Sequence, residues 1–355
     1  MDADRRQHEE SGHLQDLECG AWLNGAWDAL KCGSDWSLAS CVARDIQSSM
    51  SLSPNDQAEH NAEPTLRDPV TLKTLKAMKH RGDSFACLAC YDATTARWLE
   101  RGGVHVLLAG DSAAQVMLGF DRTIDMPMEY AIQMTAAVKR GAPGTLVMAD
   151  MPFMSYHRSV DEAMGNAGRF MTEGMADVIK LEADETQAGI VDRLTRAGVP
   201  ICAHVGCKPQ ASSVTGGPVA AGRTSDSLEQ VVRDAHALQD AGAVLLLIEA
   251  VPDEVTARVM EIASVPVIGI GAGTACDGQI LVVNDLLGLT DHPPRFAEPV
   301  ASIGAEIMRS GKEWVSRVRD GSIGGQRYSM RAGESEKLGS TSKESATKDA
   351  RKPNT

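Results

Sequence analysis

The chain has 355 residues, 43% of them hydrophobic and 23% charged, the composition of a soluble globular protein with enough apolar material for a large core. Its formal net charge of −13 repels phosphate backbones and anionic lipid surfaces, so neither nucleic acid nor membrane is expected as a partner. No apolar run approaches the ~20 residues that span a bilayer, and the opening MDADRRQHEE is polar with no signal-type apolar core behind it, so a cytoplasmic location is expected.

In chain order, residues 1–65 mix Gly, Ser, Asp and Trp without sustained periodicity and read as a poorly ordered N-terminal extension. Its candidates for packing are Trp22, Trp27 and Trp36, and Ser51 to Pro64 has the composition of a linker. From Ser84 onward, short β-rich apolar segments alternate with segments of helical period. The expected strands are Phe85 to Tyr91, Val104 to Asp111, Thr145 to Asp150, Asp177 to Glu182, Val199 to Val205, Ala243 to Ala250, Val265 to Gly271 and Gln279 to Asp285. Expected helices cover Ser159 to Gly174, Glu185 to Ala197, Ser225 to Ala241 and Asp253 to Ala263, with a further one over about Met126 to Arg140 after a longer loop. Gly174, Gly198 and Gly242 stand where a helix must turn back into a strand. Residues 326–355 lack useful apolar spacing and are expected to be a disordered tail.

Eight βα units over residues 66–325 predict a closed (β/α)8 TIM barrel rather than a doubly wound open sheet, which would carry a Gly-rich phosphate turn after its first strand. That turn is Asp92-Ala93-Thr94, and the GIGAG at Gly269 to Gly273 ends a strand without dinucleotide-loop spacing.

In such a barrel the chemistry lies where the C-terminal strand ends converge. Here those ends read Asp111-Ser112, Asp150, Lys180-x-Glu182, His204, Glu249 and Asp285, in runs otherwise nearly free of charge. One strand-end carboxylate caps a helix or faces solvent as readily as it serves a reaction. Several on one mouth repel one another unless a cation sits among them. Asp111, Asp150 and Glu182 offer hard oxygen donors and no thiolate, a set suited to Mg²⁺ completed by water or substrate oxygens. Lys180, two residues before Glu182, shares its face. It is read as a holder of an anionic substrate, with an ion pair to a neighbouring Asp or Schiff-base chemistry as its other roles. Glu249 follows the apolar run Leu245 to Ile248, which would desolvate it for proton transfer; a further metal ligand is its other reading.

Eight cysteines in a chain of this size are expected to be reduced. Cys87 and Cys90 form a C-x-x-C inside a strand, where positions three apart face opposite ways, so two buried small side chains are expected rather than a redox or zinc pair. Cys202 and Cys207 flank His204, and of these only Cys207 stands near enough to the mouth to act as a nucleophile.

The core resembles the ketopantoate hydroxymethyltransferase family over most of Thr71 to Arg319. The resemblance is carried by ACYDATTA (Ala89 to Ala96), LLAGDSAAQVMLGFD (Leu107 to Asp121), TAAVKRGAP (Thr135 to Pro143), MADMPFMSY (Met148 to Tyr156), VIKLE (Val178 to Glu182), AHVGCKPQ (Ala203 to Gln210), GIGAGTACDGQILVVND (Gly269 to Asp285) and PRFA (Pro294 to Ala297). It implies that Asp111 and Asp150 bind Mg²⁺ and meet a keto acid, that Glu182 completes the metal environment, that Ser112, Lys180 and His204 bind substrate, and that Glu249 accepts a proton. The implied reaction transfers a hydroxymethyl group from 5,10-methylenetetrahydrofolate to 3-methyl-2-oxobutanoate through an enolate, giving 2-dehydropantoate on the pantothenate route, in a homo-oligomer.

The chain departs from the family pattern at Ala113-Ala114, at Asp121-Arg122-Thr123, and in the loop Lys208-Pro209-Gln210 to Gly222, where Pro218 to Ala221 replace an aromatic, a basic residue, Val and Gln. A divergent paralogue acting on a related keto acid, an enzyme of the phosphoenolpyruvate mutase and isocitrate lyase group, and a non-catalytic barrel scaffold are the other readings. The lyases of that group rely on a KKCGH-type cysteine loop that this chain lacks, and a scaffold has no need of clustered carboxylates.

Overall fold

The structure is a computed structural model and describes residues 68–325 and 327–338. The expected N-terminal extension with its tryptophans and linker, and the tail beyond residue 338, lie outside the described residues.

Helix α1 (Leu72–Arg81) precedes the first strand, at a place where no element was expected. A capping box between Thr71 and Thr74 starts it, and Gly82 ends it in the left-handed region at φ 74°. Its Leu75 and Met78 are buried, and Lys79 Nζ reaches Asp277 Oδ2 at 2.9 Å.

The barrel follows in chain order: β1 (Phe85–Ala89), α2 (Ala93–Arg101), β2 (Val106–Ala109), α3 (Met128–Gly141), β3 (Leu146–Asp150), α4 (Val160–Thr172), β4 (Val178–Glu182), α5 (Ala188–Arg196), β5 (Ile201–Gly206), α6 (Ser225–Asp240), β6 (Leu245–Glu249), α7 (Asp253–Ile262), β7 (Val267–Ile270) and β8 (Gly278–Val282). Each strand pairs in parallel with the next, and β8 returns to β1 through five registered pairs from Phe85↔Gly278 to Ala89↔Val282. The expected (β/α)8 TIM barrel is therefore the fold.

The differences from expectation lie at the ends of elements. β2 stops at Ala109, so Asp111 sits on the loop beyond it rather than at the strand terminus. β8 stops at Val282, and Asp285 lies in a helical turn, Val283–Leu286, where the apolar run LVV carries on past the last paired residue. The crossover from β7 to β8, residues 271–277, contains no helix. Helix α8 (Ile303–Asp320) buries none of its residues, and Ile307, Trp314, Val315 and Val318 form an exposed apolar stripe along it.

Side chains alternate between the two barrel faces. Leu88, Leu107 and Val147 pack outward with Ala96 and Val138, against α2 and α3. Their neighbours Cys87, Leu108 and Met148 belong to the larger apolar cluster. Cys87 and Cys90 fall in these two separate clusters, both free and buried, as their spacing predicts.

Phe85 and Gly278 close the β1–β8 seam. A Cβ on Gly278 would stand 2.3 Å from the Phe85 ring, which is only 2% exposed. Gly278→Ala is therefore expected to destabilise the barrel by about 1–3 kcal/mol through overpacking. Thermal denaturation checks this, and in a Phe85→Leu background, where the ring is gone, the same substitution should cost markedly less. Equal losses in both backgrounds would show that the seam tolerates the methyl group.

Candidate active site

Strand alternation points Asp150, Lys180, Glu182, His204 and Glu249 to one side at the C-terminal end of the sheet. Register sets them side by side: Asp150 pairs with Lys180, Glu182 with His204, and Gly206 with Glu249. Gly206 is needed at its position. Its φ is +92°, and a Cβ there would lie 2.6 Å from the Glu249 carbonyl oxygen. The close approach turns β5 over β6 and sends the chain into the 3-10 turn Pro209–Ala211 above the mouth.

Lys180 is 4% exposed, and its ammonium donates to both oxygens of Asp150 at 2.8 Å. Burial alone would lower its pKa, but Asp150, Asp111 and Glu182 together hold it above the ordinary lysine value. Asp111, 6% exposed, accepts from Gln210 Nε2 at 2.9 Å, and its backbone N–H points at Asp150 Oδ2 across 3.4 Å. Burial, and then repulsion from Asp150, push the Asp111 carboxyl up to about 8. Glu182 is raised above the carboxylate range for the same first reason, burial, with Lys180 opposing and both aspartates adding. Its Oε2 accepts the Gln210 backbone N–H at 2.9 Å.

None of these acids is spent on capping the helix that follows. The turn Ala113–Val116 takes Ser112 as its cap residue without a side-chain cap bond. Ser112 Oγ instead shares a 2.8 Å hydrogen bond with the Tyr91 hydroxyl. The three carboxylates stand around Gln210 and Lys180 rather than around one shared point. Among the described residues no three His, Cys, Asp or Glu side chains form a set that could hold a metal ion by themselves.

His204 is 1% exposed and lies between two glutamates, its Nε2 3.3 Å from Glu249 Oε2 and its Nδ1 3.8 Å from Glu182 Oε1. Neither contact is aligned as a hydrogen bond. Burial, and then Lys180, lower its pKa, with Glu249 opposing, which favours the uncharged ring. Glu249 keeps 20% of its side chain exposed, so the desolvation expected from the apolar run before it is partial. Ala250, directly after it, occupies the left-handed region at φ 47°, a strained position for a residue with a side chain. Cys207 is buried, which pushes its thiol up to about 11, against a role as nucleophile.

Three residues of this arrangement were not singled out in the sequence. Gln210 touches Asp111, Glu182 and the Met151 carbonyl. Tyr156 reaches Gln210 and the Glu182 carbonyl, and Tyr91 holds Ser112. All three fall inside the segments that carry the family resemblance, but none is charged and none lies on a strand, so patterning gives them no signal.

A family model described as ketopantoate hydroxymethyltransferase matches residues 69–325. Among curated proteins, the 3-methyl-2-oxobutanoate hydroxymethyltransferase of Halorhodospira halophila is 42% identical over 263 residues, covering 74% of this chain and 95% of the relative. That of Alkalilimnicola ehrlichii is 43% identical over 261 residues, covering 73% and 94%. Among solved structures, phosphonopyruvate hydrolase in complex with oxalate and Mg²⁺ superposes with a TM-score of 0.50 at 16% identity, covering 79% of this chain and 98% of that one. Phosphoenolpyruvate phosphomutase from Streptomyces platensis gives 0.50 at 14%, covering 79% and 100%, and both likenesses are of fold. With a family model matched across the whole barrel and relatives above 40% identity over nearly their full length, the chain belongs to the ketopantoate hydroxymethyltransferase family of enzymes.

Proposed function

We propose that the chain transfers a hydroxymethyl group from 5,10-methylenetetrahydrofolate to 3-methyl-2-oxobutanoate, giving 2-dehydropantoate for pantothenate synthesis. The observation that carries this reading is a buried cluster of three carboxylates against one lysine, set beside a partly open glutamate at the barrel mouth. An excess of buried negative charge with hard oxygen donors fits Mg²⁺, which commonly takes one or two protein carboxylates and completes its shell with water and substrate oxygens. Asp111 and Asp150 would hold it, with Glu182 beside them. Bound there, Mg²⁺ would supply a Lewis acid for the adjacent keto and carboxylate oxygens of an α-keto acid.

The chain's own groups account for the remaining work. Lys180 offsets the negative charge of the substrate as well as that of Asp150. Ser112, its hydroxyl oriented by Tyr91, and His204, buried with its uncharged ring favoured, offer polar contacts to the bound acid. Glu249 takes the proton as the C3–H bond breaks, and the electron pair moves toward the keto oxygen. Both C–N bonds of the donor's methylene carbon break, C3 forms a C–C bond to that carbon, water supplies its hydroxyl oxygen, and tetrahydrofolate leaves with protons restored to its two nitrogens.

The test is C3 deuterium exchange in D₂O with Mg²⁺ and no folate, followed by turnover with the donor. Glu249→Gln should cut exchange by about 10²–10⁴-fold, the usual worth of a general base, while keto-acid affinity stays within about threefold. Equal loss of affinity with unchanged exchange per bound substrate would make Glu249 a binding group.

Asp111 generates a pH prediction. Between the ordinary value of 3.8 and about 8 the folded carboxyl keeps a proton that the unfolded chain has released. Metal-free stability should therefore fall as pH rises across that window. Asp111→Asn should flatten part of the slope, and Mg²⁺ should raise the melting temperature of the parent protein more than that of the variant. An identical Mg²⁺ increment in both would remove Asp111 from the metal's holders.

A further inference from the structure

Gln210 occupies the centre of the cluster yet carries no charge and cannot exchange a proton. It is 3% exposed, on the turn Pro209–Ala211 that β5 throws over the mouth. Its side-chain Nε2 donates to Asp111 Oδ2 at 2.9 Å and to the Met151 carbonyl at 3.0 Å. Its backbone N–H donates to Glu182 Oε2 at 2.9 Å. Its Oε1 accepts from the Tyr156 hydroxyl at 3.0 Å, which shares its proton with the Glu182 carbonyl, also at 3.0 Å.

These partners leave the amide one orientation. The Met151 carbonyl can only accept, so it needs the NH₂ end, whose second N–H then points at Asp111 Oδ2. With the NH₂ end fixed there, the C=O end faces Tyr156, whose single hydroxyl proton is shared between Gln210 Oε1 and the Glu182 carbonyl. One residue thus fixes one oxygen of Asp111 and one of Glu182.

We propose that Gln210 is a positioning residue for the cation site: its side-chain amide, oriented by the Met151 carbonyl and held at its oxygen by Tyr156, clamps one oxygen of Asp111 while its backbone N–H holds one of Glu182, so that the remaining oxygens present a preset geometry to a divalent cation. Partners of this kind, which orient ligands without touching the metal, typically contribute 10–100-fold in metal affinity. The inference rests on the metal reading proposed above and extends it to a residue that patterning does not reveal.

A second tether of the same turn supplies the control. Lys208 Nζ reaches Asp184 Oδ2 at 2.6 Å near the rim, about a quarter of each side chain exposed. It anchors the loop without touching Asp111. If Gln210 acted only by holding the loop down, loss of Lys208 would have the same effect.

The experiment titrates full-length protein with Mn²⁺, followed by electron paramagnetic resonance of the free ion, so that affinity is read without turnover. Gln210→Met keeps the length and the backbone N–H but loses the amide, and should weaken Mn²⁺ binding by about 10–100-fold. Its C3 exchange should recover toward the parent rate at saturating Mg²⁺. Tyr156→Phe should weaken binding in the same direction but less, and gives the reading should Gln210→Met fail to fold. The double variant should bind about as Gln210→Met does, since the hydroxyl acts through the amide. Lys208→Ala should bind within about threefold of the parent.

Parent-like Mn²⁺ affinity in folded Gln210→Met, or in Tyr156→Phe where that variant gives the reading, would overturn the proposal. So would independent, multiplying losses in the double variant, or a Lys208→Ala loss as large as that of Gln210→Met. A parent protein that binds no Mn²⁺ would instead overturn the metal reading itself.

Discussion

Three carboxylates buried around one ammonium set the terms for the rest of this structure. Asp111, Asp150, Glu182 and Lys180 are each 6% exposed or less, so neither water nor salt screens their mutual repulsion as it would at a surface. Lys180 can neutralise one of the three, and it does so with both oxygens of Asp150. Burial first, and then the repulsion that Lys180 leaves uncancelled, drives the Asp111 and Glu182 carboxyls upward. Such a cluster is a cost to the folded chain unless a cation arrives, and it persists because the strands that carry it are held by a continuous apolar core. The barrel makes the cluster possible: parallel strands in a closed ring bring residues from β3 and β4, and from the loop after β2, to one mouth.

The same division between core and mouth explains which parts of the fold were legible in sequence. Runs such as Leu245 to Ile248 or Leu146 to Ala149 are buried on both faces, so they read as unbroken apolar stretches, and the helices between them show a 3.6-residue period. Element ends were harder. Val104 to Asp111 reads as one strand, but pairing with β3 ends at Ala109, and hydrophobicity cannot mark the last hydrogen bond. Gln279 to Asp285 failed for the same reason, its apolar run passing from strand into a helical turn. Helix α1 escaped notice because its mean composition is polar and only Leu75 and Met78 are buried.

Within the site, legibility followed charge. Asp150, Lys180, Glu182, His204 and Glu249 were visible because a charged or titratable group ending an apolar strand breaks a pattern. Gln210, Tyr156 and Tyr91 break none. Their importance arises where distant segments meet, as in the bond from Gln210 to Asp111 across 99 positions or from Tyr156 to Gln210 across 54. Single-sequence periodicity holds no information at that separation. The family resemblance covers these residues, but as members of a motif without stated roles.

The mouth has two unlike halves, and His204 stands at their boundary. On one side lies the carboxylate and lysine cluster suited to a cation and an anionic acid; on the other lies Glu249, more open and strained at the following Ala250. A protonated imidazole between Glu182 and Glu249 would form an ion pair with either, and so tie the two glutamates together. Burial and the nearby Lys180 ammonium oppose this by disfavouring the charged ring. His204 is thereby kept from bridging Glu182 and Glu249 as a cation. The lysine that neutralises Asp150 thus also adds to the effect of burial in disfavouring a charged His204, so one buried ammonium acts on both sides of the mouth.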